Sequence, residues 1–328
     1  MRQHANKRIL APLAAVVAAG ALAVTFAPAA PAAPQGFELC AVAGDSNPVG
    51  SVHVPIWGFG VPTTSGDCTT ATASLPGPVL TVDEGDDVTI TLRNALPAAP
   101  TPGADPTTNH VVSFEIPGVS LDAGDVDAAV GGTATIKFHA GSPGTYLYES
   151  AGDAGRQEAM GLYGTLIVRS GTAGRAYDTA ASAYDVQSTL VLSQVDPDFN
   201  AAPDTFDMNN YLATYWLING KAYPETAPIA ATGGQNVLLR YLNAGYDNTS
   251  MSLLGLHQTV LARDARVLDN PVVAATDSIP AGATEDAIAV VPSTAPPSAN
   301  GFALFNRNLH VTNGHGTGAG GMLTFIRP

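Results

Sequence analysis

The feature that most constrains this sequence is a succession of short β-forming segments separated by turns rich in proline and glycine. The chain has 34 glycines and 25 prolines in 328 residues, and the segments between these turns alternate or run continuously in residues of high strand propensity. Outside the N-terminal region, helical periodicity is scarce. The predicted strands are Val79 to Val82, Asp87 to Arg93, Thr133 to Phe138, Gly144 to Tyr148, Gly164 to Arg169, Ser188 to Ser193, Gln235 to Tyr241, Gln258 to Arg263, Ala287 to Val291 and Met322 to Ile326. This pattern predicts an all-β fold built from β-sandwiches.

The two halves of the chain carry related motifs. Gly85-Asp86-Asp87-Val88 with the following Leu92-Arg93-Asn94-Ala95 lines up, 149 residues later, with Gly234-Gln235-Asn236-Val237 and Tyr241-Leu242-Asn243-Ala244. An offset as long as a domain indicates a duplicated fold and not a short-repeat solenoid. The expected organisation is a signal peptide at 1–33, an N-terminal domain at 34–170, a linker at 171–183 and a C-terminal domain at 184–328.

The N-terminus has the pattern of an export signal. Arg2, Lys7 and Arg8 precede an apolar run from Ile9 to Phe26, and small residues and prolines follow it. An uncleaved membrane anchor is the alternative, but the small residues after the run favour cleavage. No second long apolar run follows, so we expect a secreted or cell-surface protein without a membrane span after signal removal.

The net charge is −14, which argues against nucleic acid as a partner because an acidic surface repels phosphate backbones. The two cysteines, Cys40 and Cys68, lie 28 residues apart. In an oxidising compartment they most simply form one disulfide. A metal site on these thiols is the weaker alternative, since His53 is the only histidine near them in sequence.

Two stretches of the first half and one of the second resemble the multicopper oxidase family. They are Pro76 to Asn94, Gly144 to Gly164 and Leu217 to Gly245. The resemblance covers nearly all of residues 75–328 and implies two tandem cupredoxin-like, or plastocyanin-like, Greek-key β-sandwiches. It also implies copper bound through four histidine-rich patches.

The first three of these patches have lost their paired histidines. The first, His-x-His-Gly in the family, falls on Ser113 to Gly118, with His110 displaced upstream. The second falls on Tyr148 to Ala151, where glutamate and alanine replace the ligands. The third falls on Thr249 to Gly255. Its hydrophobic and hydroxyl residues, such as Leu254 and Ser252, indicate a repacked core.

The fourth patch, His-Cys-His in the family, falls on Phe305 to His315. It keeps His310 and His315 but has no cysteine, and Met322 keeps only the place of the weak axial ligand. The chain has seven histidines, and His4 lies in the predicted signal. The remaining histidines are too few for the copper cluster that four-electron oxygen reduction requires in the family. His310, His315, His110 and His139 are therefore only weak metal candidates, and no catalytic residue is predicted.

Two classes of function remain open. The first is a non-catalytic binding or structural module without a cofactor, whose partner is another protein, a surface polymer or its own copies. The second is a copper protein: an oxidoreductase with a residual non-blue copper, or a protein that sequesters extracellular copper. The second class requires that the histidines converge on one point at about 2.0–2.2 Å.

Overall fold

The computed structural model describes residues 34–99, 109–122, 124–294, 296–311 and 317–327. The predicted signal peptide lies outside these residues. The fold is all-β, as predicted, and each of the ten predicted strands is present with ends that differ by three residues or fewer. The described residues form ten further strands that were not predicted from the sequence.

The described part of the first half forms a β-sandwich of nine strands. A sheet of order β2-β1-β4-β7 faces a sheet of order β3-β9-β8-β5-β6. The strands are β1 (Pro34–Ser46), β2 (Val54–Gly60), β3 (Val79–Asp83), β4 (Asp87–Asn94), β5 (Val112–Glu115), β6 (Asp127–Ala128), β7 (Thr133–His139), β8 (Gly144–Ser150) and β9 (Tyr163–Arg169).

The second β-sandwich pairs a sheet of order β11-β10-β13-β18-β15-β16 with a sheet of order β12-β20-β19-β14-β17. The strands are β10 (Val186–Val195), β11 (Tyr215–Ile218), β12 (Ile229–Ala230), β13 (Asn236–Asn243), β14 (Thr249–Leu253), β15 (Gln258–Arg263), β16 (Arg266–Ala274), β17 (Thr276–Ile279), β18 (Thr284–Val290), β19 (Phe302–Asn306) and β20 (Leu323–Arg327).

Helices are few and short among the described residues. They are α1 (Arg156–Met160), α2 (Pro197–Ala201) and the 3-10 helices Cys68–Thr70, Asp153–Gly155, Ala180–Ser182 and Met208–Asn210. None of the helices in the described part of the chain is long and apolar enough to cross a membrane.

Each sandwich has its own core because alternate strand residues face inward. In β4, Val88, Ile90 and Leu92 are buried, and they pack with Phe114 and Tyr148 of the opposite sheet. The core of the second sandwich is built in the same way from both of its sheets, around residues such as Leu239, Val260, Met251 and Leu304.

The duplicated motif occupies equivalent places in the two sandwiches. It forms β4 and β13, each of which pairs in parallel with the first long strand of its sandwich. At its end, the buried Asn94 amide donates to the carbonyl oxygens of His110 and Ala128 at 2.7 and 2.8 Å. The equivalent Asn243 donates to those of Asp247 and Ile279 at 2.8 and 2.9 Å. The repeated asparagine therefore ties two loops to the end of its strand in each half.

The two sandwiches dock through β8, whose residues are all buried. The β8 residue Thr145 donates its hydroxyl hydrogen to Oδ1 of Asp286 in β18 at 2.7 Å. Arg240 lies 3.2 Å from Oδ2 of Asp286, and its guanidinium also donates to Thr145 Oγ1 at 2.8 Å. Leu147 continues the interface by packing in a cluster with Leu242 of β13.

The segment predicted as a linker contains buried residues. Tyr177 is 2% exposed, and its hydroxyl donates to Oδ2 of Asp286 at 2.6 Å. The segment thus contributes to the contact between the sandwiches, and the boundaries at 171 and 183 stay predictions.

The predicted disulfide joins Cys40 of β1 to Cys68, with 5.6 Å between the Cα atoms. It closes a loop of 28 residues in sequence separation that contains β2. The bond ties the end of this loop to the central part of β1. It therefore helps to hold the edge strand β2 against its neighbour β1.

Candidate functional site

The residues at the first patch form part of the core and surface of the first sandwich. Phe114 of β5 stacks on Tyr148 with 5.6 Å between ring centroids and 20° between the planes. Ser113 donates to Oδ1 of Asp127 at 2.6 Å, while Glu115 is exposed and pairs directly across the ladder with Glu149 of β8. The patch therefore presents one outward carboxylate beside a second one on the neighbouring strand.

At the second patch, the hydroxyl of Ser150 forms a hydrogen bond with a neighbouring side-chain amide. Ser150 is 1% exposed and donates to Oε1 of Gln157 in α1 at 2.7 Å. The Gln157 amide donates in turn to the carbonyl oxygen of Val111 at 2.9 Å. This chain of hydrogen bonds joins α1 to β8 and to the segment before β5.

Glu115, Glu149 and Glu158 form what we call the glutamate cluster. Burial raises the pKa of Glu149 to about 8, and the charges of Glu158 and Glu115 add to the effect. Burial also raises the pKa of Glu158 to about 7, with a contribution from Glu115. Oε2 of Glu149 is buried without a hydrogen-bond partner. The electrostatic coupling places the three carboxyl groups close to one another, and Glu115 and Glu149 lie in the first and second predicted patches.

Arg156 and Glu158 of α1 make different contacts. Arg156 donates to the carbonyl oxygens of Pro203 and Phe206 at 2.8 and 2.9 Å. Glu158 is instead coupled electrostatically to the glutamate cluster. Recognising that glutamates replace histidines in two patches on paired strands is the signal that would have found the cluster.

At the third patch, β14 fills the core of the second sandwich. Met251 and Leu253 are buried there, and Ser252 accepts a hydrogen bond from Thr276 at 2.8 Å. The expectation that Leu254 fills the vacated space is wrong, because its side chain is 54% exposed. Leu254 follows the last residue of β14 and lies in the turn before Gly255, beyond the inward-facing positions.

At the fourth patch, Asn306 and Met322 contact each other. The Asn306 amide donates to the Met322 sulfur at 3.3 Å, and Oδ1 of Asn306 accepts from the Asn308 backbone at 2.7 Å. The ring of His310 stacks on Trp216 with 3.9 Å between centroids and 6° between planes. Burial lowers the pKa of His310, which favours its neutral form. His315 lies outside the described residues.

His110 is buried with both ring nitrogens hydrogen-bonded. Nδ1 lies 2.6 Å from the carbonyl oxygen of Pro97, and Nε2 lies 2.6 Å from Oδ1 of Asp204. Both ring nitrogens thus face oxygen atoms of the protein within hydrogen-bond distance, so neither points toward another histidine. Trp57 packs against the ring at 4.5 Å.

His139 lies at the end of β7 on the surface. Its Nδ1 is 2.9 Å from Oδ1 of Asp87, and the two side chains are 61% and 81% exposed. In the ranges that the structure describes, no three histidine, cysteine, aspartate or glutamate side chains come together as a metal-binding group. The described histidines therefore do not form the converging cluster that the copper hypothesis requires.

Comparison with known proteins identifies the fold. The multicopper oxidase family model matches residues 61–173, whereas no curated protein matches the sequence. A blue copper oxidase from Nitrosomonas europaea superimposes with a TM-score of 0.73 and 23% identity, over 90% of this chain and 86% of that chain. The chain has the two-domain cupredoxin fold of the multicopper oxidases. A copper nitrite reductase from the same organism shares it, with a TM-score of 0.67 and 21% identity over 90% of this chain and 94% of that one.

The described residues of this multicopper-oxidase-like chain do not fit a blue copper centre. Such a centre needs a thiolate and two imidazoles, yet the chain has two cysteines and both are in the disulfide. His110 has both nitrogens engaged. The Met322 sulfur accepts a hydrogen bond from the asparagine at the fourth patch.

The raised carboxyl pKa values predict that stability falls as pH rises from about 5 to about 8. Glu149 and Glu158 keep protons in the folded state up to pKa values of about 8 and 7, as does Glu285 of β18 up to about 8. The unfolded chain releases these protons above its ordinary value near 4.5, so the folded state binds more protons in this range. Each group then lowers the free energy of unfolding by at most about 1.4 kcal/mol per pH unit.

Urea unfolding of the protein at pH 5, 6, 7 and 8 measures this dependence. In Glu149→Gln we expect a shallower decline, because one of the titrating groups is gone. Asp45→Asn is the matched control, since this exposed carboxylate lies on the other sheet of the first sandwich. A free energy of unfolding that rises from pH 5 to pH 8 contradicts the prediction.

Proposed function

We propose that this chain is an exported, multicopper-oxidase-like protein that has lost its copper sites and serves as a non-catalytic binding or structural module. The observation that carries the proposal is the identity and bonding of the residues at the second patch. There Glu149 and Ser150 stand on an intact strand, and the serine hydroxyl is committed to Gln157. The scaffold is kept while its ligand positions hold carboxyl, hydroxyl and amide groups.

The disulfide supports the proposal of export. Disulfides form and persist in secreted, periplasmic and cell-surface proteins and are rare in the cytosol. The relatives that share the fold include copper enzymes, and fold similarity alone does not transfer their activity. The proposed partner is a molecule outside the cytoplasm, and the acidic net charge of −14 disfavours nucleic acid.

Metal analysis of the full chain, expressed in an export-competent host, tests the loss of copper. After incubation with Cu²⁺ and dialysis, we expect less than about 0.1 copper per chain, because no thiolate and no free imidazole pair is offered by the described residues. Mass spectrometry for metals, visible absorption and electron paramagnetic resonance measure this. Stoichiometric copper that is lost in His310→Ala would instead establish a residual copper site and make oxidase assays the next step.

A further inference from the structure

The second sandwich reaches onto the first through residues 196–214 between β10 and β11, which we call the α2 arm. Phe199 of this arm is fully buried and belongs to the core of the first sandwich. The amide of the neighbouring Asn200 donates to the carbonyl oxygen of Pro55 in β2 at 2.8 Å. The arm is therefore anchored on the first sandwich at α2.

A cavity of about 350 Å³ lies beside this anchor, between the arm and the first sandwich. Trp57, His110 and Met160 line it from the first sandwich, and residues of the arm that include Pro203 and Asp204 line it from the other side. Among the described residues around the cavity, His110 and Asp204 are the two that titrate. Nε2 of His110 lies 2.6 Å from Oδ1 of Asp204, so this contact joins the two sides.

The surroundings of the His110 ring require a shared proton. Nδ1 lies 2.6 Å from the carbonyl oxygen of Pro97, which can only accept, so Nδ1 carries a hydrogen. A neutral imidazole has no second N–H, yet the contact between Nε2 and Asp204 also needs a hydrogen between its two atoms. That hydrogen lies either on Nε2 or on the carboxyl group. In both cases the pair holds one proton more than a neutral imidazole beside a carboxylate.

The protein fixes the ring of His110 but leaves its partner within reach of water. The His110 side chain is 1% exposed, and the ring of Trp57 packs against it at 4.5 Å. The backbone carbonyl oxygen of His110 accepts from the Asn94 amide at 2.7 Å. The Asp204 side chain is 20% exposed, so the shared proton can pass to solvent on the side of the carboxyl group.

Arg156 of α1 holds the same part of the arm without depending on this proton. Its guanidinium donates to the carbonyl oxygens of Pro203 and Phe206 at 2.8 and 2.9 Å, and an arginine stays charged at any pH at which the protein is folded. On the arm itself, Asp207 accepts from the backbone of Asn209 at 3.0 Å. Loss of the shared proton would thus release one contact while the others keep the arm attached.

We propose that the contact between His110 and Asp204 is a pH-sensitive latch between the two sandwiches, closed while the pair keeps its shared proton and open after the proton is lost. Without the proton, a ring nitrogen and a carboxylate oxygen face each other as two acceptors. The open latch lets this part of the arm move away from Trp57 and admits water to the cavity. The inference goes beyond the proposed function, since it concerns the contact between the sandwiches and not the partner of the module.

The direction of the pH effect follows from counting protons. In an unfolded chain, aspartate is ionised above about pH 3.9 and histidine is neutral above about pH 6.5. Above about pH 6.5 the unfolded chain therefore lacks the proton that the closed latch keeps. The closed state becomes less stable as pH rises through this range, and the equilibrium constant for unfolding increases by up to about tenfold per pH unit from this pair.

Urea unfolding of the full-chain protein between about pH 6 and about pH 9 tests the shared proton. In Asp204→Asn the amide can donate to a neutral imidazole, so the latch closes without an extra proton. We expect the unfolding equilibrium constant of the parent to rise more steeply with pH than that of Asp204→Asn, by up to about tenfold per pH unit. Asp198→Asn removes an exposed carboxylate from the same arm and should keep the slope of the parent.

Acrylamide quenching of Trp57 fluorescence, in a Trp216→Phe background, measures the opening in the folded protein. Trp57 is 5% exposed, and we expect its quenching constant to increase by about twofold or more between the two ends of the pH range, because local opening admits the quencher. With Asp204→Asn in the same background, the quenching should not change with pH.

Either measurement can overturn the latch. Equal slopes of unfolding in the parent and in Asp204→Asn would show that the pair holds no shared proton, and the pH response would belong to other groups such as the glutamate cluster. Constant quenching of Trp57 across the pH range would show that the arm does not open. His110→Gln removes the ring and should lose the same part of the pH dependence, so the test remains valid if Asp204→Asn does not fold.

Discussion

Replacing Asp286 with alanine lowers the free energy of unfolding by about 3–5 kcal/mol, the expected cost of leaving a buried charge without its partner. The Asp286 carboxylate accepts hydrogen bonds from Thr145 and Tyr177 at 2.7 and 2.6 Å. It also lies 3.2 Å from Nη1 of Arg240, and the two side chains are 1% and 2% exposed. Without the carboxylate, the guanidinium remains buried between the sandwiches.

Urea denaturation of the parent and Asp286→Ala measures this loss, and Asp83→Ala is the matched control. Asp83 pairs with Arg169 at 2.7 Å, but both side chains are 58% exposed, so the control should lose less than about 1 kcal/mol. Equal losses in the two variants would show that the buried network does not hold the sandwiches together. A loss in Asp286→Ala accompanied by a second unfolding transition would show that the sandwiches have become uncoupled.

Removing the disulfide in Cys40→Ala/Cys68→Ala lowers the free energy of unfolding by about 3–4 kcal/mol. The bond closes a loop with a sequence separation of 28 residues, and constraining such a loop in the unfolded chain accounts for a loss of this size. This is a large part of the total for a domain, which is about 5–15 kcal/mol. The measurement is urea denaturation at constant pH.

Reductant provides the control for the disulfide prediction. Dithiothreitol should destabilise the parent protein by a similar amount and should leave the double variant unchanged. If the double variant differs from the parent by less than about 1 kcal/mol, the loop is ordered without the bond and the prediction is wrong.

The sequence predicted strands best where apolar residues alternate. In β4 and β7 the alternation matches burial on one face, and both strands were predicted nearly to the residue. Strand β1 was missed because it contains two glycines and begins at a proline. Its pairing in parallel with β4 comes from contacts distant in sequence, which local propensity does not report.

The candidate site was harder to predict than the fold. The sequence predicted that Glu149 stands at a ligand position of the family, but it did not predict that Glu115 faces it across the ladder or that Glu158 approaches from α1. The pairing register and the docking of a short helix decide both facts. Leu254 shows the same difficulty, since one position beyond the end of β14 changes a core residue into a surface residue.

Strand β8 has both of its faces covered, one by the core of its own sandwich and the other by the neighbouring sandwich. Tyr148 points into the first core, whereas Thr145 and Leu147 contact the second sandwich. If the two halves were produced as separate fragments, each would expose to water the interface surface that is buried in the whole chain. That surface includes the charged side chains of Arg240 and Asp286 in the second half.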